Sequence, residues 1–189
     1  MRNILAAVFC ACLWSCATQR YGDTDLVRYS GAVDVRWLKN DYFLFLPNKD
    51  DPFTLTRRDG KSIRPGPMYT DGGSIPRFAW GVPGYSPWGY APAYIIHDWL
   101  FEAHHCNYAP DNQYTFGDSA AVMAEGLKAV MEASPEVRDY FVFDTVVTAV
   151  SSTIAERIWD KGECKAPSIK LLKLDQEPPG DLIMTIRFK

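Results

Sequence analysis

The chain has no long basic run, and its 20 Lys and Arg are outnumbered by 23 Asp and Glu, giving a formal net charge of −3. A nucleic-acid partner therefore has no electrostatic footprint here. The longest apolar stretch, Ile4 to Leu13, is too short to span a bilayer, so a transmembrane anchor is not expected. Internal repeats, low-complexity tracts and a composition break are also missing. With 189 residues, that suits one domain around one sizeable core. Histidine is scarce, at three residues, and three of the five cysteines lie within the first 16 positions.

What is present at the start reads as an export signal over residues 1–15. Arg2 and the terminal amine form a positive region, Ile4 to Leu13 an apolar core, and Leu13-Trp14-Ser15-Cys16 a cleavage site. The LWSC string resembles the lipobox of bacterial lipoproteins, which implies acylation of Cys16 as the mature N-terminus and stable anchoring by several acyl chains. The alternative is an ordinary secretory signal. The expected location is the bacterial cell envelope, lipid-anchored on the periplasmic side or in the outer membrane, with residues 16–30 as a polar tether and 31–189 as the single domain. Cys106 and Cys164 then remain, 58 positions apart. An oxidising compartment favours a disulfide between them, and two buried thiols are the alternative.

Along the chain, Val33, Val35 and Trp37 alternate with Asp34 and Arg36, the period of a half-buried strand. Tyr42 to Leu46 reads as a second strand, and Phe53–Arg57 and Lys61–Arg64 flank a hairpin turn at Asp59-Gly60. Pro92 opens a helix running to about His104, a second covers about Asp118 to Ala133, and Ser134-Pro135-Glu136 marks the start of a third. In that third segment Phe143, Val147, Val150, Ile154 and Ile158 form an amphipathic stripe. Ile169–Leu174 and Leu182–Phe188, separated by Pro178-Pro179-Gly180, read as a C-terminal hairpin. Antiparallel hairpins, then three helices, then a hairpin define an α+β fold.

The chemistry-bearing residues sit in two short segments, TDGGSIPR from Thr70 to Arg77 and IHDWLF from Ile96 to Phe101, followed by Asp118 at the start of the second helix. Together they resemble the core of the bacterial and phage family called domain of unknown function 1353. That family runs T-D-x-x-S-x-P-R, then H-D-x-L-[YF], then an Asp entering the next helix. The match spans about Val33 to Leu127 and points to Asp71, Ser74, Pro76, Arg77, His97, Asp98 and Asp118. Gly117, directly before Asp118, departs from the pattern and leaves a helix-capping role open for that acid.

The H-D-x-x-[YF] string is also similar to the active-site helix of secreted prokaryotic phospholipases A2. That resemblance implies His97 as the base that activates water, Asp98 as a calcium ligand, Phe101 as support, and the Asp71-Gly72-Gly73 loop as a source of metal oxygens. Physically, neighbours on a helix point about 100° apart, so His97 and Asp98 serve different partners. Asp118 on the next helix would orient His97, fixing its tautomer and freeing the other nitrogen as a base. Asp98, a hard oxygen donor, suits Ca²⁺.

Two classes of function follow. One is a lipid-anchored His/Asp hydrolase, calcium-assisted and acting on phospholipid, or on a cell-wall component with the same residues. The other is a non-catalytic envelope or prophage module, with His97, Asp98, Arg77 and Asp71 as a buried polar network. Ser74 lacks the strand–elbow–helix setting of a nucleophile and reads as a turn residue. Arg77 pairs with an acid or takes a substrate phosphate. His104, His105 and Cys106 have the look of a metal cluster, but a helix end beside a disulfide accounts for them. Trp80, Tyr85, Trp88 and Tyr90 mark a loop packed over the core or a lipid-facing surface.

Overall fold

A computed structural model describes residues 16–38, 42–70, 85, 89–164 and 178–188. Six strands form one antiparallel sheet: β1 (Arg28–Leu38), β2 (Tyr42–Pro47), β3 (Thr54–Thr56), β4 (Ser62–Ile63), β5 (Met68–Thr70) and β6 (Asp181–Phe188). Their order is β4-β3-β1-β2-β5, with β6 also on β1. Strand β1 is long enough to change partners. Its residues 28–30 pair with β3, and 31–37 pair with β6, with a bulge between Val35 and Arg36. Its other edge pairs with β2 from Val33↔Pro47 to Leu38↔Tyr42.

The change of partner is made at Gly31, whose φ of +84° is open mainly to glycine. A Cβ there would run into the backbone of Pro52. The close approach brings the 48–53 loop against β1. Ala32 N–H donates to Asp51 O (2.7 Å), and its carbonyl accepts from the N–H groups of Asn48 and Phe53. The Asp59-Gly60 turn joins β3 to β4 as expected, with Gly60 at φ +86° and Asp59 Oδ1 accepting from Lys61 N–H at 3.0 Å.

Five helices are present among the described residues. The first, α1, covers 16–23. The others are α2 (Ala91–Cys106), α3 (Phe116–Ala133), α4 (Tyr140–Val150) and α5 (Thr153–Lys161). Pro92 sits in the first turn of α2, and Asn107, in the left-handed conformation, ends it. The architecture is α+β as expected, with the third helical segment divided in two. Its start is not Ser134: Pro135–Val137 form a single 3₁₀ turn, and Asp139 caps α4 by accepting from Phe141 and Val142 N–H. Ser152 then caps α5, breaking the apolar stripe between Val150 and Ile154.

Helices α2 and α3 cover the sheet. Phe53, Leu55 and Ile63 are fully buried against Ile96, Leu100 and Val122. A second cluster joins α1, α2, α3 and α4 around Tyr21, Met123, Leu127, Met131 and Phe143. Residues 16–30 are therefore not a loose tether. Tyr21 is buried, donates to Glu132 at 2.7 Å and meets Tyr140 and Phe143 edge-on, while Arg20 pairs with Asp144. The sequence around Tyr21 is polar on average, and the segment is docked by that aromatic together with buried Ala17 and Val27. In the C-terminal hairpin, β6 is present and pairs with β1; the expected arm Ile169–Leu174 lies outside the described residues. Among the described residues no helix is long and apolar enough to cross a membrane.

Candidate functional site

Helix α2 is buried on most of its surface, which is why its ionisable residues stand out. His97 is only 4% exposed. Its Nδ1 lies 3.8 Å from Asp98 Oδ1, beyond hydrogen-bond range, as the angular step between helix neighbours requires. Its ring packs on Phe101 at 4.9 Å, and its Nε2 is buried with no hydrogen-bond partner. One turn earlier, Tyr94 is also buried with an unpartnered hydroxyl, whose pKa is pushed far up by that burial.

Asp118 does not serve His97. Its Oδ2 accepts from Thr115 Oγ1 (2.6 Å) and from Thr115 N–H (2.9 Å), and Thr115 Oγ1 accepts from Asp118 N–H in return. That reciprocal pair is a capping box at the start of α3. The Thr115 hydrogen bonds hold the Asp118 carboxyl below the usual carboxylate range, and the cations that add to this are Arg57 and Lys61 of the β3–β4 hairpin. His97 and Asp118, expected as an acid–base dyad, share no hydrogen bond: the Asp118 carboxylate is bonded at the N-terminus of α3, on the side of the hairpin.

Of the other expected site residues, Phe101 lies between the rings of His97 and Trp159, meeting Trp159 edge-on at 4.9 Å. Asp71, Gly72, Gly73, Ser74, Pro76 and Arg77 lie outside the described residues, as do Trp80 and Trp88. The predicted calcium loop and its approach to α2 therefore lie outside them too. Cys16 is a free, exposed thiol in the first turn of the described part of α1.

At the far end of α2 the two histidines and Cys106 have other partners. His104 stacks on Trp159 at 4.1 Å, and His105 Nε2 lies 2.9 Å from the Trp159 carbonyl. Burial holds the His104 pKa below the ordinary histidine value, with the neighbouring His105 adding to the effect. Cys106 and Cys164 form a disulfide, with Cα atoms 4.7 Å apart. Among the described residues only Glu102, Cys106 and Cys164 converge as a set of three potential ligands, and the two sulfurs are already bonded to each other.

Two buried polar pairs were not foreseen. Glu125, 6% exposed, takes a two-pronged contact from Arg57: Nε to Oε2 at 2.8 Å and Nη2 to Oε1 at 2.5 Å. The Tyr29 hydroxyl lies in the same interior without a partner, its pKa raised by burial and then by the Glu125 charge. Gly126 makes room for that hydroxyl, because a Cβ there would overlap it. The signal was available: Glu125 lies on one helical face with Val122 and Ala129, and an acid in an apolar stripe needs a cation. Asp111, 4% exposed, accepts from Trp99 Nε1 at 2.7 Å, and burial raises its pKa.

What these features define is a disulfide-linked α+β domain whose described interior holds two buried polar pairs, Arg57–Glu125 and Trp99–Asp111, beside unpartnered polar atoms of Tyr29, Tyr94 and His97. No protein-family model, curated protein or solved structure matches the chain.

Proposed function

We propose that this is an exported bacterial envelope protein, acylated at Cys16, whose domain is a non-catalytic binding or structural module of the domain of unknown function 1353 type. The observation that carries the non-catalytic reading is the capping box at Thr115. It occupies Asp118, and the neighbouring Asp98 carboxylate, 3.8 Å from Nδ1 of His97, lies beyond hydrogen-bond range. A general base also needs a route to its substrate proton, and the Nε2 of His97 is buried. In this reading His97 contributes packing against Phe101, and the disulfide accords with an oxidising compartment.

The test is phospholipid hydrolysis by the full chain with calcium, comparing wild type with His97→Gln. The expected result is the same background rate in both. A loss of about 10²–10⁴-fold in the variant is what removal of a general base produces, and it would restore the hydrolase reading.

A further inference from the structure

Helix α5 carries a second face that the fold does not use. Its inward side is Trp159, 5% exposed, held against Phe101, His104 and Phe116. At 100° per residue, Ile154, Arg157, Ile158 and Lys161 fall within one arc of about 100° on the outward side. Glu156 and Asp160 fall off that arc. Ile154 is 68% and Ile158 56% exposed. The two cations beside them make no ion pair or hydrogen bond with the described residues. An apolar stripe flanked by Arg and Lys is the pattern of a helix lying in a membrane interface.

We propose that the outer face of α5 rests on an anionic phospholipid surface, with Ile154 and Ile158 entering the headgroup boundary and Arg157 and Lys161 meeting lipid phosphates. The proposal rests on the reading that Cys16 holds the chain to a membrane. Charge selects the occupant: in a chain of net charge −3, this face presents only cations. A second copy docked on the same stripe would set Arg157 and Lys161 against their own equivalents. Size selects it too. Two isoleucines give far less than the roughly 800 Å² per partner of a stable protein interface. A surface already tethered nearby needs much less, because the second contact is made at high effective concentration.

The mounting of α5 and of the anchor supports this. Ser152 caps the helix at one end, and Cys164, three residues past the other end, is bonded to Cys106 of α2. The stripe is therefore held outward. Cys16 is five residues before Tyr21, about 8 Å along a helix, and Tyr21 is buried between α3 and α4. An acyl anchor at Cys16 would keep the body near the bilayer, which is the effective-concentration condition the α5 contact needs.

The experiment places a photo-crosslinker at one position, Ile158→p-benzoylphenylalanine, in the full chain purified from membranes and reconstituted in vesicles. Position 158 is exposed, so the fold is retained. Vesicles containing phosphatidylglycerol should give lipid adducts at this residue at about five times or more the yield of phosphatidylcholine vesicles. Adding Arg157→Gln and Lys161→Gln should reduce that yield to the phosphatidylcholine level. Adducts to protein alone, whether a second copy or another chain, would overturn the proposal, as would no adduct. The mass of the Cys16 peptide from the same sample separates the two readings. Lipid adducts with unmodified Cys16 remove the anchor and keep the α5 surface; an acylated Cys16 without lipid adducts does the reverse.

Discussion

Replacing Glu125 with Ala should lower the stability of the domain by about 3–5 kcal/mol, because it removes the hydrogen-bonded counter-ion of a largely buried Arg57 guanidinium and leaves only the weaker attractions of Asp59 and Asp118. The side chains concerned are 7% exposed for Glu125 and 19% for Arg57, so water screens the loss only slightly. The bond also crosses the molecule, from the β3–β4 hairpin to the middle of α3. In a domain of this size that loss should move the thermal midpoint down by roughly 10 °C. The double change Arg57→Met with Glu125→Leu should recover most of the stability, since it removes both desolvated charges. If Glu125→Ala melted within about 1 kcal/mol of wild type, the pair would belong to the solvent-exposed class.

Removing the disulfide with Cys106→Ser and Cys164→Ser should cost about 4 kcal/mol, the chain-entropy value for a 58-residue separation. The loss should appear first in one place. Helix α5 has a single buried residue, Trp159, and the disulfide holds the chain three residues beyond its end. Hydrogen exchange should therefore rise over 153–161 before it rises in α3, whose inward residues include Val122, Met123 and Leu127. Chemical denaturation gives the total, and exchange gives its location. A loss below about 1 kcal/mol, or one spread evenly over the helices, would mean that α5 is held by its aromatic contacts alone.

The parts of the fold legible in the sequence are those with a short period or a strict turn. Val33 and Val35 point inward as alternation required, whereas Trp37, beyond the bulge between Val35 and Arg36, is 47% exposed; Asp59-Gly60 makes its hairpin. Pro92 lies in the first turn of its helix. The third helical segment was misdivided because its apolar spacing runs through Ser151-Ser152 without a break. The stripe there serves two purposes: Phe143 and Val147 are buried in α4, while Ile154 and Ile158 face outward in α5. Periodicity reports that a face exists and not what it faces.

The site shows the same division. The thiol pairing followed from counting cysteines, and it is present. The role of Asp118 was written locally, since Thr115-Phe116-Gly117-Asp118 has the spacing of a capping box. The motif resemblances and the position of Asp118 on the next helix suggested a dyad with His97, but two residues 21 positions apart on different helices meet only if the packing brings them together. The hairpin cations Arg57 and Lys61 lie nearer in effect. The interior pair of Arg57 and Glu125 is a long-range contact over 68 positions, and only the helical face of Glu125 hinted at it.

The central claim is that His97 and Asp118 belong to separate local structures, one in the packing of α2 and the other at the cap of α3. A double-mutant cycle with His97→Gln, Asp118→Asn and the combined variant measures this directly through the free energy of unfolding. Asp118→Asn should weaken the capping box and His97→Gln the contact with Phe101, and the two losses should add within about 0.5 kcal/mol. A coupling energy of about 1–3 kcal/mol between them would show that the two side chains interact, and it would contradict the account.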